Sequence, residues 1–294
     1  MPAGPVVRAF HHPPTGSLAY VASDPATGRC AVIDPVLGFD RASGQVSTRF
    51  ADALADHVQD QGLRAEWVID THPHADHFSA LAYLGQRLGA RTATGAAVEV
   101  VQEIWAGLYN MPGLRSAAPW DRLLAPGDRL PLGEMSIEAM ASPGHTAASV
   151  TLLFGNAAFV HDTLFMPDLG TARADFPGGD ARALYRSIQR ILALPETTRL
   201  FTGHDYPPEG REAAWESSVA RQRADNVHLR EAPDEAAFVA MRQARDRTLP
   251  LPELMLLALQ VNLRGGRLPE PEEDGHAYLR LPLQRFPESA GGEP

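Results

Sequence analysis

The sequence predicts an α/β protein, and three observations carry that reading. Short apolar runs bounded by Gly/Pro turns alternate with segments of helical spacing. Several of those apolar runs end in a histidine or an aspartate, as expected where a rigid scaffold holds ligand-type residues at its strand tips. With 294 residues, 31.8 kDa and 44% hydrophobic content, the chain can bury one large core.

Taken in order, the runs at 6–10, 17–22 and 29–33 read as an antiparallel opening. They are separated by the turns Pro13-Pro14-Thr15-Gly16 and Asp24-Pro25-Ala26-Thr27-Gly28. A Gly/Ser-bearing loop follows from Asp34-Pro35-Val36-Leu37 to Ser47, and 50–58 has helical spacing. The apolar run at 65–69 reads as a buried strand that delivers Thr71-His72-Pro73-His74-Ala75-Asp76-His77, with a helix behind it at 80–88. Between 91 and 132 come a short strand, a helix around 98–108 and a Pro-rich connection. Strands at 135–140 and 150–154 flank Ser142-Pro143-Gly144-His145-Thr146. The run at 157–160 ends in His161-Asp162, and Leu200-Phe201-Thr202 runs into Gly203-His204-Asp205-Tyr206. Helices are expected at 212–223, 235–245 and 252–261, then a strand at 277–283 and a Gly/Pro/Glu-rich end that frays. No fixed-period repeat or linker divides the chain. Residues 1–265 are therefore read as one catalytic domain with a helical C-terminal part, and 266–294 as an extension.

Composition narrows the function classes. The formal net charge is −10 with no basic run, so nucleic acid and anionic membranes are poor partners. All 26 cationic side chains are arginine, which excludes a lysine Schiff base or lysine general base. The single cysteine, Cys30, cannot form an internal disulfide, and its place in Cys30-Ala31-Val32-Ile33 reads as core. Residues 1–10 lack the basic and apolar pattern of a leader, and no run reaches membrane-spanning length, so a cytoplasmic place is expected.

The chemistry concentrates in the histidine motif. His72, His74, Asp76 and His77 put four metal-capable side chains into six residues on a strand-to-loop turn. Imidazoles and a carboxylate are donors for zinc or non-haem iron. Chance pairs are expected among eleven histidines, but a cluster with a carboxylate in phase is not. In the segment 103–124, Trp105, Tyr109, Met111 and Trp120 admit two readings, a lid or homodimer contact beside the site, or packing of a helix onto the core.

The series His72-Pro73-His74-Ala75-Asp76-His77, His145, Asp162, His204 resembles the metallo-β-lactamase superfamily across most of the chain. The resemblance implies a four-layer αββα sandwich of two mixed sheets, with a metal site at their edge. Within the superfamily the chain is most similar to persulfide (sulfur) dioxygenases, next to glyoxalase II-type hydrolases. The likeness to the dioxygenases rests on Ile33-Asp34-Pro35-Val36-Leu37, Ala172-Arg173-Ala174-Asp175-Phe176, Gly203-His204-Asp205-Tyr206 and Asn262-Leu263-Arg264-Gly265. It implies one Fe(II) on His72, His145 and Asp162, with positions open for O2 and glutathione persulfide, which leaves as sulfite and glutathione. His74, Asp76, His77 and His204 would orient ligands and substrate, and Arg173 and Tyr206 would lie near the glutathione part. The glyoxalase II likeness implies two Zn(II) instead, one on His72, His74 and His145, the other on Asp76, His77 and His204, with Asp162 bridging and a thioester as substrate. A metal-binding protein without turnover is the third reading. Two departures from the family pattern stand out: His161 where the superfamily commonly has Gly, and a longer spacing from Asp162 to Arg173.

Overall fold

The computed structural model describes residues 4–116, 119–232 and 234–286. The opening runs form β1 (Val6–His12), β2 (Ser17–Ser23) and β3 (Arg29–Ile33), paired antiparallel as their tight turns require. The loop expected up to Ser47 is instead a hairpin of β4 (Val36–Asp40) and β5 (Gln45–Ser47). Helix α1 (Arg49–Asp60) buries Ala51, Leu54, Ala55 and Val58 on one face. Strand β6 (Arg64–Asp70) runs parallel to β3, and β7 (Phe78–Ser79) pairs back onto β4. Helix α2 (Leu81–Leu88), β8 (Arg91–Gly95), α3 (Val98–Tyr109) and β9 (Arg122–Leu124) complete the first half. Its sheet has the order β1-β2-β3-β6-β8-β9.

The second half holds β10 (Arg129–Leu132), β11 (Met135–Ala141), β12 (Val150–Phe154), β13 (Ala157–His161), α4 (Ala181–Leu192), β14 (Arg199–Thr202) and β15 (Glu216–Ser218). These six strands form the second sheet in chain order, antiparallel except for the parallel pair β13 and β14. Helices α5 (Val219–Asp225), α6 (Val227–Glu231), α7 (Glu235–Asp246) and α8 (Met255–Asn262) follow.

The sheets pack face to face through side chains that alternate inward along each strand, among them Leu18, Tyr20, Ile33, Ile69, Phe154 and Phe159. Each such apolar side chain contributes about 1.5–3 kcal/mol by leaving water. Outside the first sheet lie α1, α2 and part of α8; outside the second lie α4 and α7. The result is the four-layer αββα sandwich. Among the described residues, no helix is long and apolar enough to cross a membrane.

Two further expectations are corrected. The helix expected at 212–223 begins only at Val219, because Glu216–Ser218 adds an edge strand to β14 and Ser218 then caps the helix through Arg221 N at 3.2 Å. The strand expected at 277–283 does not form. There the Gln260 amide bonds both the carbonyl of Arg280 (2.7 Å) and its N–H (2.9 Å), the service a neighbouring strand would have given. In the segment 103–124, Trp105 and Tyr109 are buried against α8 residues Met255 and Leu259, which is the packing reading, while Met111 and Trp120 are half-buried. Cys30 is buried as expected, and burial pushes its thiol up to about 12. The fraying end expected within 266–294 falls partly on 287–294, outside the described residues.

Candidate metal centre

The donor-type residues stand on loops at one end of the two sheets. His72 and His74 follow β6, His145 lies between β11 and β12, Asp162 directly follows β13, and His204 follows β14. Local hydrogen bonds set the tautomers of His72 and His145. Asp34, at the end of β3, accepts from the Thr71 N–H (2.7 Å) and the Thr71 hydroxyl (2.8 Å). With its proton committed, that hydroxyl is left to accept from His72 Nδ1–H at 3.0 Å, so His72 Nε2 carries a free lone pair. His145 Nδ1–H donates to the Arg173 carbonyl at 2.9 Å, which frees its Nε2 in the same way.

Both free nitrogens converge on one oxygen. Asp162 Oδ2 lies 3.9 Å from His72 Nε2 and 3.7 Å from His145 Nε2, too far for hydrogen bonds. The other oxygen, Oδ1, accepts from His204 Nδ1 at 2.7 Å. A side chain at position 203 would put its Cβ 2.5 Å from that oxygen, so Gly203 is what admits the carboxylate. His72 Nε2 is buried and has no hydrogen-bond partner among the described residues, an orphan that a cation would satisfy. The three donor atoms lie within 4.8 Å of one another, and the set of two imidazoles and one carboxylate fits a divalent metal.

In a second group of residues, His74, Asp76, His77 and His204, the carboxylate is already engaged. Asp76 Oδ2 is met by His204 Nε2 at 2.8 Å, His77 Nδ1 at 2.9 Å and the Ser17 hydroxyl at 3.0 Å. His204 thus directs both ring nitrogens at carboxylates. His74 turns toward Asp34, with Nε2 3.2 Å from Oδ1 but outside hydrogen-bond geometry. Asn262 of α8 ties the motif loop from below: its amide donates to the His74 and His77 carbonyls (2.7 and 2.8 Å) and accepts from Ser79 N–H (2.8 Å). His161 is buried with φ 40°, its Nε2 near the hydroxyls of Ser142 (2.8 Å) and Thr163 (3.1 Å), and its ring centroid 5.2 Å from that of His72. It packs behind the site.

Charge states follow from burial and neighbours. Burial, reinforced by His74 and His145, holds His72 well below its ordinary value; burial also lowers His145 against the pull of Asp162. Burial alone would raise the Asp162 carboxyl, but His204 and His145 outweigh it and bring it down to about 2. Neutral imidazoles and an ionised carboxylate are the forms that bind a metal ion. His204 moves the other way, since Asp162 and Asp76 overcome its burial and keep it protonated.

A cavity of about 270 Å³ opens on the donors, lined by Asp76, His145 and Asp162 and walled by Phe165, Leu169 and Phe176. Arg173 and Tyr206, expected at the substrate, both line it. The Arg173 guanidinium is engaged, however, by both oxygens of Asp175 (2.7 and 2.8 Å) and by the Pro250 carbonyl. Tyr206 is half exposed and stacks on His204 with centroids 5.6 Å apart. Sequence reasoning missed Ser17, His228, Arg242, Arg245 and the role of Asn262. Only Asn262 carried a signal, as part of the phrase Asn262-Leu263-Arg264-Gly265.

A family model described as the metallo-β-lactamase superfamily matches residues 12–204. A β-lactamase hydrolase-like protein of Xylella fastidiosa is 58% identical over 95% of this chain, and the chain spans 65% of that relative's length. The mitochondrial persulfide dioxygenase of Mus musculus is 28% identical, with 89% of each chain covered. The crystal structure of ETHE1 from Myxococcus xanthus superposes with a TM-score of 0.73 at 27% identity, covering 89% of this chain and 100% of that one. Sandwich, strand-tip donors and matched span agree, and the chain belongs to the metallo-β-lactamase superfamily.

Proposed function

We propose that the chain is a non-haem iron persulfide dioxygenase that converts glutathione persulfide, O2 and water to sulfite and glutathione, with one Fe(II) on His72, His145 and Asp162. The contrast between the two donor groups carries this reading. The first keeps an orphan imidazole nitrogen facing an unpaired carboxylate oxygen, whereas Asp76 and His204 of the second are satisfied by each other, His77 and Ser17. The likeness to the mouse persulfide dioxygenase supports it.

Iron on a set of two histidines and one carboxylate supplies the redox chemistry that O2 requires and leaves coordination positions free. The chain's own residues do the rest. Asp34 through Thr71 holds the His72 tautomer, the Arg173 carbonyl holds that of His145, and His204 steadies Asp162. Phe165, Leu169 and Phe176 exclude water, and Tyr206 presents a hydroxyl to the peptide part.

His74 and His77 also carry orphan ring nitrogens, and this favours a second reading as a dinuclear thioester hydrolase. The two part in one experiment. Oxygen uptake by Fe(II)-loaded protein on glutathione persulfide is expected, with one iron per chain and loss of both uptake and iron in His145→Ala. Lactoyl-glutathione cleavage by zinc-loaded protein, without any O2 uptake, would replace the proposal with the hydrolase. Neither activity with a bound metal would leave the non-catalytic reading.

A further inference from the structure

Three arginines line the cavity that opens on the donors, Arg173, Arg242 and Arg245. Two of them are neutralised in place. Arg173 is held by Asp175 and the Pro250 carbonyl, and Arg242, only 2% exposed, grips Asp246 with Nε and Nη2 at 2.8 Å while Nη1 donates to the Thr171 carbonyl. Arg245 follows Arg242 by three residues on α7, close to one helical turn, so it falls on the same side of the helix. It is exposed, and its guanidinium has no ion pair or hydrogen bond among the described residues.

An unpaired guanidinium at this place needs a reason. The chain carries a net charge of −10, so an anionic ligand approaches from solvent against an unfavourable overall field, which a bound metal cation reverses only close to the donors. A cation with all of its donors free offsets that field and can take a carboxylate with two parallel hydrogen bonds. Leu249 and Pro252 beside it, with Phe176 further along the lining, suit the apolar stretch of a ligand whose two ends are polar.

We infer that Arg245 is the anion-capturing residue of the cavity, selecting ligands that carry a carboxylate remote from the reacting sulfur, while Arg173 and Arg242 build the wall. The inference deepens the proposed function and rests on it only for the glutathione framework of the ligand. Arg245 is a specificity residue and takes no part in the bond changes.

The test is equilibrium binding by calorimetry on metal-loaded protein, using glutathione and its diethyl ester, which keeps the framework and lacks both carboxylates. Arg245→Gln is expected to weaken glutathione about tenfold and leave the ester within twofold, with Arg245→Lys in between. In turnover, Arg245→Gln is expected to raise KM for glutathione persulfide with kcat held. Unchanged glutathione affinity in Arg245→Gln overturns the inference, as does an equal loss for the ester, which would assign the residue to cavity shape. Wild-type protein that binds no glutathione overturns it too. Binding that depends on Arg245 in a protein without O2 uptake would sink the dioxygenase and keep the inference, because a glutathione thioester carries the same carboxylates.

Discussion

At the scale of single residues, Asn262 is the side chain that fixes the histidine loop to the body of the protein. It makes three hydrogen bonds to backbone groups of His74, His77 and Ser79 while almost fully buried. Asn262→Ala would strand two carbonyls and one N–H, and a loss of about 2–4 kcal/mol is expected from urea unfolding. Retained iron per chain is expected to fall with it; an unchanged iron content would show that the loop holds its shape unaided. The donors themselves were legible because each stands at the tip of an apolar run, a pattern visible in one dimension. Asn262 was legible only as a familiar phrase, since its partners lie more than 180 residues away. His161 stands where the superfamily commonly has Gly, and its left-handed φ of 40° leaves no other mark in sequence.

At the scale of elements, the loop between β13 and α4 is docked on α6 and α7 by histidine chemistry. His228 Nδ1 accepts from the Thr171 N–H at 2.9 Å, which requires a neutral ring. Burial first, then Arg242 and Arg245, lower its pKa from 6.5 to about 4. A base depressed in the folded state contributes its full stability above the unfolded value. That contribution falls as the pH drops from 6.5 to about 4, because the unfolded chain takes the proton first. Urea midpoints measured at pH 7.5 and 5.0 should therefore drop further for wild type than for His228→Gln. Equal drops would remove His228 as an acid trigger. Long periodic segments such as α1 and α3 were legible because one face of each is apolar. The edge strand Glu216–Ser218 was not, because pairing with β14 overrides local spacing.

At the scale of the molecule, two sheets bring four separate donor loops to one end, and a cation on His72, His145 and Asp162 would link three of them. The folded state alone gathers these donors, so metal binding adds to stability by mass action. Withdrawal by a chelator is expected to lower Tm by about 5 °C relative to protein held at a hundredfold excess over Kd. Restoration by added Fe(II) should follow dose in scanning calorimetry, and a melting temperature indifferent to metal would refute a resident ion. The four-layer plan was legible through family resemblance and agreed with the strand succession. The helical shell at the C-terminal end was legible only as amphipathic spacing, and its contacts with the site were not.

Those contacts order events during synthesis. Every proposed donor has left the ribosome once His204 emerges, yet the amide that ties down the histidine loop comes from Asn262, beyond the matched span 12–204. A nascent chain paused between the two positions owns all its metal-binding groups without the clasp that fixes them. Full anchoring of the loop is therefore expected only once helix α8 has been made and can dock.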